Sequence, residues 1–288
     1  MRESSRITPR ILIGTDFTPE SRRAFYHALA LAVAQQARLT LLHIGPESRK
    51  EVPWDRFPGI RETLIEWGML SADSEREEVL DRLGLNVKKM AMRDDDPYNG
   101  MVDYLRKHPT DILIMATEAR SGLQRLRRAS VAEGVAYASH CHALLLPHDS
   151  DDLIDRGSGK LVLGKVLFVY DHEPDPLSSL AWLHTWLPQF SQGDIEAHLL
   201  YVGFEEEAPE VTPQNNPRVK WVKRTQEGPG LETILSYVED FQPDLVIMGN
   251  QRSGRGIAGR IRGSLNEQVL RRAGKPMLLM PTPVSYTH

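Results

Sequence analysis

The sequence has 288 residues, 41% hydrophobic and 26% charged, the composition of a globular protein long enough to bury two cores. A net charge of −4 supplies no field for gripping a nucleic-acid backbone, and no apolar run approaches the roughly 20 residues of a membrane helix. The single cysteine, Cys141, excludes an internal disulfide, and the charged start Met1-Arg2-Glu3 lacks an apolar signal stretch, so a cytoplasmic location is expected.

Residues 10–15 are an apolar run ending at Asp16, which predicts a first strand. Thr18 offers an N-cap hydroxyl and Pro19 a first helical position, and Phe25, Leu29, Ala32 and Val33 continue at helical spacing. Residues 39–44 predict strand two. Beyond the breakers Pro53 and Pro58, residues 61–83 predict one long helix stopped by Gly84. Residues 86–92 predict strand three. Asp94-Asp95-Asp96 then caps a helix that starts at Pro97, runs to Lys107 and ends before Pro109. Residues 112–115 predict strand four, 130–139 a helix and 143–146 strand five.

Residues 150–160 are acidic, then Gly/Ser-rich, and predict a linker between a first domain, 1–149, and a second, 161–288. Two independent cores are expected, with proteases cutting first between them. The second half repeats the order. A strand over 165–170 stops at Asp171, Asp175 and Pro176 start a helix through Trp186, strands follow at 195–202, 219–222, 245–248 and 277–280, and a helix spans 231–241. Alternating strands and helices predict a parallel sheet covered on both faces. The two final strands are short and wholly apolar, so the halves are expected to cover these edges against each other.

The stretch from Asp244 to Ser264 runs from an apolar strand into a Gly/Arg-rich loop and then a helix start, and Asp111 to Ser130 repeats the plan. Such a loop presents backbone N–H groups to an anion. If each half has the strand order 3-2-1-4-5, a ligand crevice lies between strands one and four. Asp16 would then face the loop 116–130, and Asp171 the loop 249–264.

The ordered set of strand-one Asp (Asp16, Asp171), the Leu-Thr-Leu-Leu-His second strand, the Asp-Leu-Val-Ile-Met-Gly fourth strand, the Arg-Ser-Gly turn and a final apolar strand resembles the universal stress protein family in its tandem two-domain form. The resemblance implies two Rossmann-like (adenine nucleotide alpha hydrolase-like) α/β domains, each a five-stranded parallel sheet of order 3-2-1-4-5 flanked by helices. It also implies stress or survival roles, frequent dimerisation, and an ATP-binding branch marked by Gly-x2-Gly-x9-Gly-Ser/Thr. The first half departs from that pattern: Ala116, Ala119 and Ala129 stand before Ser130 where glycines are expected. A Cβ at such positions holds a phosphate away from the backbone. The second half keeps Gly249 and Gly263-Ser264, with Arg252 in place of the middle glycine and one extra loop residue. ATP, where it binds, is therefore expected beside Asp171, Gly249, Arg252, Ser253, Gly254, Gly263 and Ser264. The first site, marked by Asp16, Arg120 and Ser130, is expected to be empty or to hold a single phosphate or sulfate.

Each of these assignments has a plainer reading. The loop arginines are anion clamps or a solvated basic loop. Asp16 and Asp171 hold ribose or adenine, or cap helices. His140-Cys141-His142 is spaced too tightly for a metal, and Glu205 to Glu207 reads as a solvated loop. His43-Ile44-Gly45 lacks the second histidine of the related nucleotidyltransferase signature. With no nucleophile–base pair and no metal set in view, the expectation is a non-catalytic binding protein. Its partners are an adenine nucleotide or small anion, a protein, and a second copy of itself as a homodimer; nucleic acid and membrane are not expected. The competing readings are a slow ATPase at the second loop and a pure scaffold with both sites inactive.

Overall fold

A computed structural model describes residues 8–47, 51–75, 77–117, 132, 134–136, 138, 141–249 and 264–281. Its first half holds strands β1 (Arg10–Gly14), β2 (Arg38–Gly45), β3 (Asn86–Arg93), β4 (Ile112–Thr117) and β5 (His142–Pro147). A two-stranded hairpin, β6 (Ile154–Asp155) and β7 (Lys160–Leu161), precedes β8 (Lys165–Tyr170), β9 (Ile195–Val202), β10 (Val219–Gln226), β11 (Leu245–Gly249) and β12 (Met277–Met280) of the second half. The helices are α1 (Pro19–Gln35), α2 (Ile60–Glu66), α3 (Glu78–Leu83), α4 (Pro97–Lys107), α5 (Pro176–Trp186), α6 (Gly230–Phe241) and α7 (Leu265–Ala273). The helix predicted over 130–139 lies partly outside the described residues; Ala132, Gly134, Val135, Ala136 and Ala138 are helical.

The local chemistry read from the sequence starts three of these helices. Thr18 accepts from Ser21 N, Asp96 from Tyr98 N and Asn99 N, and Asp175 from Leu177 N, each with proline in the first turn. Each cap satisfies a backbone donor that the helix itself cannot, worth about 1 kcal/mol.

Ten strands form one sheet in the order β10-β9-β8-β11-β12-β5-β4-β1-β2-β3, which is the order 3-2-1-4-5 twice over. Pairing is parallel within each half. The halves join where β12 runs antiparallel to β5, with Met277 opposite Leu145, Leu278 opposite Leu144 and Leu279 opposite Ala143. The two apolar edges thus cover each other, as their composition requires. The outer strands instead carry exposed Lys88 and Lys89 on β3 and Lys220 and Lys223 on β10, which discourage a further strand from adding.

Strand residues alternate between two apolar layers. Ile11, Ile13, Ile114, Phe168, Ile247 and Leu278 face α1, α2 and α5, while Leu12, Leu113, Leu167, Val246 and Leu279 face α4, α6 and α7. Each layer runs without a break from one half into the other, so the expected pair of independent cores is in fact a shared one. The stacked rings of His142 on β5 and Trp182 on α5, 4.0 Å apart, reinforce the junction.

Two expectations need correction. The helix over 61–83 is broken: α2 stops at Glu66, Gly68 takes φ 69°, and Ser71 and Ser74 close a turn before α3 begins. At the break, Trp67 donates from Nε1 to Arg156 O at 2.9 Å. The segment 150–160 is not a loose linker either. Leu153, Ile154 and Leu161 are buried, and Arg23 of α1 donates to Asp152, Pro147 O, Ser150 O and Asp151 O. His27, one turn further on, is fixed at both ring nitrogens: Nδ1 lies 2.9 Å from Arg23 O, and Nε2 accepts from Leu153 N at 3.0 Å. A carbonyl can only accept, so the ring is neutral with its proton on Nδ1. Burial holds its pKa down at about 4. Sequence reading missed this clasp because its partners lie more than a hundred residues apart.

Candidate functional site

In each half the first and fourth strands are neighbours and the chain leaves them in opposite directions along the sheet, so a crevice opens at their carboxyl ends. The two crevices are not alike. In the first half the space measures about 520 Å³, and in the second, beside Asp171 and Gly249, about 140 Å³. Small-molecule sites generally occupy about 300–1,000 Å³, so only the first has ordinary ligand dimensions.

The cause is local. Pro19 follows Asp16 by three positions, whereas Pro176 follows Asp171 by five. The longer turn brings Pro174 onto β11, where a Cβ on Gly249 would fall 2.6 Å from Pro174 Cγ. The glycine read as a phosphate contact therefore makes room for a proline ring. Asn266 donates from Nδ2 to Gly249 O at 3.0 Å, drawing the start of α7 against the strand. Ser264 caps α7 by accepting from Glu267 N at 3.0 Å. Glu267 itself is buried in the first turn and paired with Arg271, so a carboxylate already sits near the positive end of that helix. Asp171 accepts from His172 N at 2.7 Å. Arg252, Ser253, Gly254 and Gly263 lie outside the described residues, as do Arg120 and Ser130 of the first half.

The first crevice is built at the ends of β1 and β2. Asp16 accepts from Thr18 N and the Thr18 hydroxyl at 3.2 and 2.6 Å, which orders the turn into α1. Both readings of this residue, ligand contact and helix start, thus fall on one carboxylate. Phe17 takes φ 64°, a left-handed conformation that costs a non-glycine residue about 1–3 kcal/mol. Its ring packs against His43, Trp54 and Phe57 at centroid distances of 4.8, 5.2 and 5.6 Å, and this packing offsets the cost. His43, at the end of β2, is buried and reaches Thr15 O through Nδ1 at 2.8 Å. Its Nε2 lies 3.4 Å from Glu47 Oε2. The Glu47 carboxyl is held below the usual range by its own backbone N–H and then by His43. Ile44, Met101 and Met115 supply apolar walls, and Glu20 and Asp96 further carboxylates. Among the described lining residues there is no lysine or arginine.

His43, Met101 and Met115 were not singled out as lining residues from the sequence. The available signal was the position of His43 at the end of strand two, which the 3-2-1-4-5 order places beside strand one. Cys141 is buried, and His142 is engaged through Nδ1 with Asp111 O at 3.1 Å. Glu205 to Glu207 form an exposed short turn, as expected. Among the described residues, no helix is long and apolar enough to cross a membrane.

Comparison with known proteins agrees with this architecture. The family model described as the universal stress protein family matches twice, over residues 8–147 and 164–281. A universal stress protein of Methanocaldococcus jannaschii is 27% identical over 158 residues, covering 51% of this chain and 86% of that protein. One of Bacillus subtilis is 22% identical over 146 residues, covering 48% of this chain and 97% of that protein, so each relative corresponds to about one half. The crystal structure of a universal stress protein from Archaeoglobus fulgidus superposes with a TM-score of 0.63 at 15% identity, covering 96% of this chain and 98% of that one. With its strand order repeated and its family model matched in both halves, this chain belongs to the universal stress protein family.

Proposed function

We propose that this is a cytoplasmic, non-catalytic stress-response protein that works by binding, and that its small-molecule site is the first-half crevice, which takes an adenine nucleoside or nucleotide. The observation that carries the reading is the contrast in room: about 520 Å³ beside Asp16 against about 140 Å³ beside Asp171, where Pro174 lies on Gly249. A flat base suits the walls formed by Ile44, Met101 and Met115, and ribose hydroxyls suit the carboxylate of Asp16. Four carboxylates in the same lining (Asp16, Glu20, Glu47 and Asp96) favour the nucleoside part over a triphosphate. Ala116 at the end of β4 acts in the same direction, since its Cβ stands where the ATP-binding pattern has a bare backbone.

The competing reading places ATP in the second half, on the retained glycines. Calorimetric titration of adenosine, AMP and ATP into the wild type, Asp16→Ala and Asp171→Ala separates the two. The proposal expects binding that Asp16→Ala abolishes and Asp171→Ala leaves intact. Binding lost only with Asp171→Ala would move the site to the second half, and no binding by the wild type would leave a scaffold.

A further inference from the structure

His43 is a buried histidine lining the first crevice, with hydrogen-bond acceptors facing both ring nitrogens. Thr15 O can only accept, so at 2.8 Å Nδ1 carries a proton. A neutral ring then presents a lone pair at Nε2. The group beside Nε2 is the Glu47 carboxylate, at 3.4 Å, and a carboxylate does not approach a lone pair favourably. The His43–Glu47 contact therefore belongs to the imidazolium, in which both nitrogens donate. Gly45 permits it: a Cβ there would come within 2.9 Å of His43 Nε2 and closer still to Glu47.

We infer that His43 sets the ligand specificity of this crevice: neutral, its Nε2 accepts a hydrogen bond from a donor group on the base, and protonated, it turns instead to Glu47. The inference rests on the proposal that the first crevice is the ligand site. The ring is oriented by the Thr15 carbonyl and the Phe17 ring, neither of which titrates. The charged groups lining the same crevice are Asp16 before α1, Glu20 on α1, Glu47 after β2 and Asp96 before α4, all carboxylates. An imidazole changes charge between pH 5 and 8, so the crevice should read an amino group above that range and a carbonyl below it. Glu47 stays ionised across the change, because its backbone N–H and His43 both favour the carboxylate.

Adenosine and inosine separate these states, since the first carries an amino group where the second carries a carbonyl oxygen. Calorimetry at pH 8.0 and pH 5.5 is expected to show the wild type favouring adenosine about tenfold at the higher pH, the worth of one well-made hydrogen bond. At pH 5.5 the preference should vanish or reverse. His43→Phe should bind both nucleosides without preference at either pH. Glu47→Gln, a change at an exposed side chain, should keep the preference at pH 8.0 and move the crossover to lower pH. A wild-type preference equal at both pH values, or one that survives His43→Phe, overturns the role of His43 while leaving the site standing. Failure of both nucleosides to bind the wild type, or binding indifferent to Asp16→Ala, overturns the site and this inference together.

Discussion

Acidification offers a direct test of the way the two halves are joined. His27 is buried, gives its Nδ1 proton to Arg23 O and takes the Leu153 N–H at Nε2, so a second proton on the ring breaks the bond to Leu153. Its pKa falls from 6.5 to about 4, chiefly through desolvation by burial. A base whose folded pKa lies below its unfolded value contributes its stability in full above the unfolded value and loses it as pH falls towards the folded one. The window therefore runs from pH 6.5 down to about 4. At about 1.4 kcal/mol per unit, the whole shift is worth ~3 kcal/mol, of which ~2 kcal/mol is lost by pH 5. Urea unfolding of the wild type and His27→Leu at pH 7.5 and pH 5.0 isolates this contribution, because every other titrating group is common to both proteins. The variant should be less stable at pH 7.5, since Leu153 N loses its acceptor at a cost of about 1–3 kcal/mol. Between the two pH values the wild type should then lose ~2 kcal/mol more than the variant. Equal losses would refute the reasoning, and would mean that the Leu153 bond does not depend on the charge of the ring.

Arg23→Met removes the donors that hold Asp152 and three carbonyls of the 147–151 segment. It should cost about 3–5 kcal/mol in urea unfolding and make the chain cleavable by trypsin at Arg156, which the wild type should resist. Gly249→Ala puts a methyl against the Pro174 ring. It should lower stability by about 1–3 kcal/mol, seen as a lower Tm, while leaving Asp16-dependent nucleoside binding unchanged. Leu278→Lys buries a charge where β12 meets β5, opposite Leu144. The single cooperative thermal transition expected of a continuous sheet should split in two or be lost on calorimetric scanning.

Much of the fold could be read locally. Thr18, Asp96 and Asp175 start helices because a short polar side chain followed by proline has few other uses at the end of a strand. Alternation of apolar positions identified the strands, and repetition of the whole pattern gave the tandem arrangement. The final strands were legible as a junction because a bare apolar edge needs a partner. The features that escaped depend on distant partners. Residues 150–160 look like a flexible connector until Arg23, His27 and Trp67 are brought against them. In the candidate site, Gly249 was read as a phosphate contact from its place in a pattern. Its neighbour Pro174 comes from a turn on another strand, and only the longer spacing from Asp171 to Pro176 hinted at it. His43 could be placed on a strand but not in a crevice, since lining a cavity depends on which neighbours leave the space open.

The central claim is that the ligand site lies in the first half, between β1 and β4. A crystal structure of the protein soaked with adenosine tests it most directly. The account predicts density for the base among Ile44, Met101 and Met115, with the ribose towards Asp16 and His43 within hydrogen-bond reach of the amino group. Density beside Asp171 and Gly249, with Pro174 displaced and the first crevice empty, would contradict it.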